Sequence, residues 1–235
     1  MIDSTHQQPA LPLGAPVDST PSEHPGPVTL KGRYGRVEKL NDAHAASLWD
    51  AVRGHDAIWT YMSQYGPFAG AEEFSNWVHQ RAALADPYSY AIVNNGNLCL
   101  GIATLMEIKP AMRVIEVGHI VYSPALQRTP LGTEAQYLLA RYAFESLRYR
   151  RYEWKCNALN AASRRAALRY GFVFEGILRQ HMIAKGRNRD TVYFSMLDAD
   201  WPIRKANFER WLSPDNFTAD GRQILNLSAL NSVQK

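Results

Sequence analysis

The run from Gln127 to Ala135 joins a strand-like segment to a long amphipathic helix, and its residue types could bind an anion. Thr129 can cap the helix, and Pro130 suits the first helical position because that position needs no N–H. The free amides of such a helix start point to one place and add the positive end of the helix dipole, which favours phosphate. Arg128 adds a fixed positive charge. An ordinary capped helix after a loop is the alternative, and the local pattern by itself favours it.

Several common motifs are missing. Neither GxxxxGK[ST] nor GxGxxG occurs at this loop, so it is neither a Walker loop nor a dinucleotide fingerprint. There is no cluster of His, Asp and Glu with metal-ligand spacing and no GxSxG, so we expect no metal site and no hydrolase chemistry. The two cysteines, Cys99 and Cys156, lie far apart, which excludes a disulfide scaffold and favours a reducing cytoplasm.

Composition and charge narrow the class of protein. The chain has 235 residues, 46% of them apolar and 20% charged, which allows a packed core over most of its length. No apolar run approaches the roughly 18–20 residues of a membrane span, and the first twenty residues lack the features of a secretory signal. The stretch Arg141–Arg189 carries a charge of +9 and the remainder −5. This asymmetry favours an anionic partner for the C-terminal half, with a solvated basic face as the alternative.

Hydrophobic periodicity predicts one α/β domain with a mixed sheet. Residues 1–27, with six of the 13 prolines, are predicted to form a flexible arm, residues 28–200 the domain, and residues 201–235 a C-terminal helix and tail. The predicted strands are 28–40, 88–93, 98–108, 112–122, 152–157, 172–182 and 191–197, and the predicted helices are 41–54, 71–85, 130–148, 160–170 and 198–212.

Three motifs occur in an order that resembles a known family: Glu116-Val117-Gly118-His119, the loop from Gln127 to Ala135, and Asn160-x-x-Ser163 through Gly171-Phe172. The chain resembles the GCN5-related N-acetyltransferases, in particular the RimJ/RimL type that acetylates ribosomal-protein N-termini, over about residues 30–198. The resemblance implies a mostly antiparallel mixed sheet flanked by helices, with its fourth and fifth strands, here 112–122 and 152–157, splayed apart. It also implies direct transfer of an acetyl group from acetyl-CoA to a primary amine, either a protein N-terminus or a small molecule.

The resemblance places acetyl-CoA against the loop and the splayed strand. Loop amides would bind the pyrophosphate, and strand backbone would pair with pantetheine; the residues implied are Gln127, Arg128, Thr129, Leu131, Gly132 and Thr133, with Ile120, Val121 and Tyr122. Asn160 matches an asparagine that contacts the cofactor arm, and Ser163 matches a serine that hydrogen-bonds or protonates the departing thiolate. Helix capping and a first-turn position are the alternatives for these two, and they are compatible with cofactor contact. Pro130 replaces the first glycine of the family pattern Q/R-x-x-G-x-G/A, which removes one amide.

Acetyl transfer requires a neutral amine, so a base or a water chain must accept its proton. Glu116 is the leading candidate by resemblance, and burial on a partly apolar strand would raise its pKa. The alternative for Glu116 is a sheet-edge charge paired with Arg113. His119 and His181 are further candidates, because histidine titrates in the useful range. Alternation along the strand predicts that His119 faces the side opposite to Glu116.

In the resembled family the connection between the first two helices covers the acceptor. Here its aromatic residues, with His119, are the predicted substrate-binding set: Trp59, Tyr61, Tyr65 and Phe68. Plain packing is the alternative for these aromatics. The competing function is a non-catalytic acyl-CoA-binding or RNA- or ribosome-associated module of the same fold, which Pro130 and the basic half favour. For an enzyme we expect no nucleic-acid or membrane partner, while a homodimer through the C-terminal helix stays open.

Overall fold

A computed structural model of the chain describes residues 11–232, and the ends of the predicted arm (1–10) and tail (233–235) lie outside the described residues. The strands are β1 Thr29–Lys31, β2 Gly35–Lys39, β3 Tyr88–Asn94, β4 Cys99–Lys109, β5 Val114–Tyr122, β6 Arg151–Asn157, β7 Val173–Ala184 and β8 Arg187–Leu197. The helices are α1 Ala45–Val52, α2 Ala71–Ala83, α3 Pro130–Arg141, α4 Ala161–Arg169, α5 Trp201–Leu212 and α6 Leu227–Ser232. In the described part of the chain, no helix is long and apolar enough to cross a bilayer.

The strands form a single sheet in the order β1-β2-β3-β4-β5-β6-β8-β7, and every neighbouring pair is antiparallel except β5 and β6. The parallel pair is in register only where Val114–Glu116 faces Arg151–Glu153. Beyond Glu116, β5 continues beside β4, and β6 pairs with β8 along its whole length. The predicted splay between 112–122 and 152–157 is confirmed, and we call the opening between β5 and β6 the gap.

Helices cover both faces of the sheet, so each face has its own apolar layer. One layer includes Leu138 of α3, Tyr152 of β6 and Phe208 of α5. The other includes Leu48 of α1 and Phe74 of α2. The α3 face and the α2 face of the gap are named below after these layers.

The prediction of one strand over 28–40 is wrong, because β1 and β2 form a hairpin around residues 32–34. The cause lies on α3, where the buried carboxylate of Glu134 accepts hydrogen bonds from the amides of Arg33 (2.6 Å) and Tyr34 (2.8 Å). Gly32 completes the turn, since a Cβ at this position would overlap the Glu134 carboxylate. A helix residue about 100 positions later therefore fixes this turn.

The arm contacts the body before residue 28, the predicted boundary. Ser22 donates from its amide to the carbonyl of Pro110 (3.1 Å), and its hydroxyl donates to the carbonyl of Arg148 (2.9 Å). Gly26 donates to the hydroxyl of Tyr142 at 3.0 Å. At the other end, α6 was not predicted, and Arg204 of α5 donates to its Asn231 carbonyl at 2.9 Å.

Candidate active site

The topology gives the gap the features of an anion site. Because β5 and β6 are parallel, their carboxyl ends open at the same edge, and each is followed by the N-terminus of a helix, α3 after β5 and α4 after β6. Helix N-termini present free amides and the positive end of the dipole. Two such ends therefore flank one opening between two strands that no longer pair with each other.

The start of α3 has the predicted cap. The Thr129 hydroxyl accepts from the amide of Gly132 (3.1 Å) and donates to the carbonyl of Leu126 (2.7 Å), with Pro130 at the first helical position. A Cβ at position 132 would meet the Leu126 carbonyl at 2.8 Å, so glycine allows the helix to approach the loop closely. The amide of Thr133 bonds to the Thr129 carbonyl. Two of the amides predicted to bind phosphate therefore already have acceptors inside the cap.

Three amides of this loop remain available. Within residues 11–232, those of Arg128, Thr129 and Leu131 have no hydrogen-bond acceptor, while that of Gln127 bonds to the Ser123 carbonyl at 3.0 Å. Arg128 is exposed and has a φ of 60°, a left-handed conformation that is strained for a residue with a side chain. The loop thus offers three N–H groups and one guanidinium to an anion, fewer amides than the sequence implied.

The predicted strand contacts lie at the end of β5. Ile120 and Tyr122 pack toward the α3 face and Val121 toward the α2 face. The Tyr122 carbonyl accepts from the Gln127 side chain (2.9 Å), and its hydroxyl donates to the Gly132 carbonyl (2.8 Å). These bonds fix the loop to the strand, so Gln127 acts here on β5.

Asn160 and Ser163 lie at the start of α4, on the α3 face of the gap. The Asn160 side-chain oxygen accepts from the Ser163 amide at 3.0 Å, which caps the helix and leaves the side-chain NH₂ without a partner in the described chain. The Ser163 hydroxyl oxygen accepts from the indole N–H of Trp154 at 3.0 Å. That bond leaves the hydroxyl proton for another acceptor, which can be the neighbouring Cys156 sulfur or a ligand. Burial raises the pKa of the neighbouring Cys156 thiol, and a hydrogen bond with Ser163 opposes this.

Glu116 lies where the parallel pairing ends, on the α2 face of the gap, because its neighbours Ile115 and Val117 both face the α3 layer and side chains alternate along a strand. The residue is 5% exposed, and its carboxylate forms an ion pair of 2.9 Å with Lys155. Burial raises the pKa of Glu116 to about 7, although Lys155 opposes the shift. The alternative pairing with Arg113 is wrong, since that side chain contacts Asp18 and the Arg148 carbonyl instead.

A ladder of charges runs from Glu116 across the sheet. Lys155 also pairs with Glu153 (3.0 Å), Glu153 with Arg151 (2.6 Å), and Arg151 with Glu175 in a two-fold contact. Burial opposes the ammonium form of Lys155, but the two glutamates outweigh this and raise its pKa. Hydrogen bonds from Arg151 lower the pKa of Glu175 to about 2. Glu116 is thus the one acid of the ladder whose proton is held near neutral pH.

A β-bulge changes the direction of His119. Thr104 pairs with Gly118 and Ile102 with Val121, so two residues of β5 face one residue of β4 at this point. His119 has a φ of 45° and contacts Arg81 of α2. The prediction that His119 faces the side opposite to Glu116 is therefore wrong, because the bulge turns its side chain to the α2 face, where Glu116 also lies.

His119 is a poor candidate for the base. Its Nδ1 accepts from the Arg81 guanidinium at 2.6 Å, which assigns its proton to Nε2. Burial, Arg81 and Arg189 together lower the pKa of His119 to about 4. A neutral imidazole with Nδ1 occupied can donate from Nε2 but has no free lone pair to accept a proton.

His181 lies on the exposed edge strand β7, on the same face as Lys155. Its Nδ1 is 3.0 Å from the Thr191 hydroxyl, and its ring packs edge-to-face against Tyr193 with centroids 6.0 Å apart. The Lys155 ammonium lies 5.0 Å from the centroid of the same tyrosine ring. The structure thus brings His181 and Glu116 to opposite ends of one chain of contacts.

The α1–α2 connection forms a roof on the α2 face. Trp59 is buried in the core there, with Phe68 packed against it at a centroid distance of 5.2 Å. Tyr65 faces the site itself, edge-on to His119 at 5.6 Å. Of the predicted aromatic set, Tyr65 is therefore the ring nearest to a candidate polar residue.

Two hydrogen-bonded contacts hold the roof down. The exposed Tyr61 donates to the Leu159 carbonyl (3.1 Å), which links the roof to the loop before α4. Lys185, at the tip of the β7–β8 hairpin, donates to the carbonyls of Trp59 (3.0 Å) and Gly66 (2.6 Å). The roof is thus tied to both elements that border the open end of the gap.

Sequence reasoning missed the contacts of three charged residues of this region, Arg81, Lys155 and Lys185, although it identified Lys185 as part of a basic hairpin turn. Two of them carried a usable signal. Arg81 falls on the apolar stripe of α2, seven positions after Phe74, and Lys155 continues the alternation of charges along β6. Lys185 gave no such signal, because its partners are carbonyls about 120 positions earlier.

Comparison with known proteins identifies the class. The family model described as "Acetyltransferase (GNAT) domain" matches residues 36–173. A structure of a GCN5-related N-acetyltransferase from Brucella melitensis is 41% identical, with a TM-score of 0.88 over 92% of this chain and 99% of that one. A "probable" GNAT-family acetyltransferase from Chromobacterium violaceum is 38% identical, with a TM-score of 0.76 over 83% and 99%.

The chain belongs to the GNAT acetyltransferase family, as its motifs predicted. It is an N-acetyltransferase, an enzyme that transfers an acetyl group to an amine. A relative whose printed name is "Putative ribosomal N-acetyltransferase YdaF", from Bacillus subtilis (strain 168), is 29% identical over 130 residues, which are 55% of this chain and 69% of that protein. Among residues 11–232, no group of three or more His, Cys, Asp or Glu side chains is placed to hold a metal ion.

Proposed function

We propose that the acetyl donor is acetyl-CoA, bound in the gap from the α3 face, and that coenzyme A is the second product. The free amides of Arg128, Thr129 and Leu131 would hold the diphosphate, together with the Arg128 side chain. The unpaired edge of β5 beyond Glu116 and the Asn160 side chain would hold the pantetheine arm. Acetyl-CoA supplies the thioester whose acetyl group is transferred, and the residues present fit it although Pro130 removes one amide.

Glu116 would accept the proton of the attacking amine. Its raised pKa keeps it close to the working pH, which suits a general base. The ion pair with Lys155 holds the carboxylate at the point where β5 and β6 separate. His181 would be the second proton acceptor, reached through water, because its contacts toward Lys155 are an edge-to-face ring contact with Tyr193 and a cation–π contact, which carry no proton. His119 would contact substrate as a neutral donor.

Ser163 would act on the opposite side of the gap. Its oxygen is held by Trp154, so its hydroxyl proton is available to the departing sulfur. The N-terminus of α4 adds a positive partial charge beside the same position. Both effects would stabilise the negative charge that develops on the sulfur as the thiolate leaves.

The acceptor amine would enter from the α2 face under the roof, with Tyr65 as the aromatic surface nearest to it. The name of the YdaF relative refers to ribosomal acetylation, which makes a protein N-terminal amine one candidate class, and small-molecule amines are the other. The expected cytoplasmic location remains a proposal that rests on the two buried, unpaired cysteines.

The observation that carries this function is a parallel strand pair that opens beyond Glu116 between two helix N-termini. We would titrate the protein with acetyl-CoA by calorimetry and then measure free-thiol release over a panel of peptides and small amines. Binding at one site and thiol release with at least one amine are expected. Binding without turnover over the whole panel would favour a non-catalytic module. Absence of binding would exclude acetyl-CoA as the acetyl donor.

A further inference from the structure

Arg81 is a buried cation that has no anion beside it in the described part of the chain. The residue is 7% exposed, and its Nε is buried without an acceptor anywhere in residues 11–232. Its one side-chain hydrogen bond in that part of the chain goes to His119, which burial and Arg81 hold neutral. A buried guanidinium normally pairs with a carboxylate or carries several hydrogen bonds, because the loss of its hydration is costly.

A second cation, Arg189 of β8, borders the same place. Its charge contributes to the lowered pKa of His119, and its Nε is buried without an acceptor in the described chain. Among residues 11–232, neither Arg81 nor Arg189 forms an ion pair.

The charges along β5 are therefore separated into two zones. The ladder that begins at Glu116 carries three carboxylates for two cations, Glu116, Glu153 and Glu175 with Lys155 and Arg151. Around His119, three positions later on the same face, there are the cations Arg81 and Arg189, and neither has a carboxylate partner within residues 11–232. Three residues of strand span about 10 Å. When the amine of an acceptor is bound at Glu116, a group several bonds from that amine in the same molecule would thus reach the cationic side chains.

This inference rests on the proposed function. We propose that the acceptor is a small molecule that carries a free carboxylate several bonds from its amine, such as an ω-amino acid or a dipeptide, and that Arg81, with Arg189 beside it, binds that carboxylate. The His119 Nε2–H is a further donor to the same group. A carboxylate here would complete the hydrogen bonding of the guanidinium groups and offset the like charges that now face one another.

The test compares acceptors that differ in one charge. We would measure kcat/KM for 6-aminohexanoate and for glycylphenylalanine, each against its C-terminal amide. The free acids are expected to be preferred by about 10- to 100-fold, the value of hydrogen bonds to a charged group. Equal or better use of the amides by the unmodified enzyme would overturn the proposal, as would preference for a protein N-terminus over all four small acceptors.

Variants locate the effect. Arg189→Gln, at a half-buried position, should reduce the acid-over-amide ratio through KM with kcat little changed. Arg81→Gln should reduce it further and Arg81→Lys should restore part of it. Arg53→Gln, an exposed arginine at the end of α1, is the matched control and should leave the ratio unchanged. An unchanged ratio in both the Arg189→Gln and Arg81→Gln proteins would overturn the proposal.

A binding measurement separates this idea from the proposed function. N-acetylglycylphenylalanine and its amide are titrated into the protein by calorimetry, which needs no turnover. Tighter binding of the acid, lost in Arg189→Gln, supports the carboxylate site even if no acceptor gives thiol release. Equal binding of acid and amide, together with thiol release from neutral amines, would leave the transferase intact and remove the carboxylate site.

Discussion

On the α3 face of the gap the groups offered to a ligand are mostly backbone amides, whereas on the α2 face they are charged side chains. The first set comes from two helix starts, with one hydroxyl, that of Ser163. The second comes from Glu116, Lys155 and Arg81, side chains that three separate elements bring together. We call the α3 face the backbone face and the α2 face the charged face. The difference indicates that the backbone face would bind a ligand through main-chain amides, whereas the charged face would act through charged side chains held at low exposure.

The largest expected effect is on the charged face. Glu116→Gln should lower turnover by about 10²- to 10⁴-fold, because the amine would lose its general base. Acetyl-CoA affinity, which we propose is set on the other face, should be nearly unchanged by calorimetry. Glu153→Gln removes a carboxylate from the same Lys155 and serves as the control, with turnover retained. Full activity of Glu116→Gln would transfer the role of base to water or to His181.

On the backbone face, the corresponding change is Ser163→Ala. Loss of one hydrogen bond to a developing thiolate should lower kcat by about 10- to 100-fold. The dissociation constant of acetyl-CoA should change less, because the loop amides are untouched, and Ser163→Thr should retain activity through its hydroxyl. Should the affinity fall as far as kcat does, Ser163 would be a binding residue and would have no part in the leaving-group step.

The backbone face could be predicted from sequence because its determinants are local. The Thr129 cap with Pro130 after it, and Asn160 three positions before Ser163, place amides within one helical turn of the residues that signal them. The order of strands, and with it the splay, followed from family motifs. A turn set by Glu134 from another element escaped the same reasoning, since its cause is about 100 residues away.

The charged face could be predicted only in part, because register and tertiary contact decide it. Glu116 was identified, but its partner was expected to be Arg113 and is Lys155, which the parallel pairing of β5 with β6 brings near. Alternation predicted His119 on the opposite face, but a single bulge in β5 turns its side chain to the α2 face. A one-residue shift reverses which side a strand residue faces, and alternation alone gives no warning of it.

The pH profile distinguishes the two faces in a different way. Because Glu116 must be deprotonated to accept a proton, kcat should rise with pH through about 7, where burial places its pKa. Lys155→Gln removes the opposite charge and should move this rise to higher pH, by about 1–3 units. Glu153→Gln removes a like charge and should move it to lower pH.

Shifts of the midpoint of the kcat profile in opposite directions, to higher pH in Lys155→Gln and to lower pH in Glu153→Gln, would identify Glu116 as the titrating group. Lys155→Arg, which keeps the charge, is the control for packing. Ser163→Ala should leave the midpoint in place, because its hydroxyl lies on the other face. If neither charge variant moves the midpoint, the rise belongs to the amine of the acceptor.

The smallest expected effect concerns Thr129 on the backbone face. It tests whether this side chain stabilises the start of α3 without contacting the ligand. Thr129→Ala removes the cap of α3 and should lower the free energy of unfolding by about 1 kcal/mol, measured by urea denaturation. The same change frees the Gly132 amide, which the Thr129 hydroxyl now occupies, so acetyl-CoA affinity should fall little. Thr129→Ser keeps the hydroxyl and should match the unmodified protein in both measurements. A large loss of affinity at unchanged stability would instead mean that the Thr129 hydroxyl itself contacts the ligand, and the α3 face would then depend on side chains as the α2 face does.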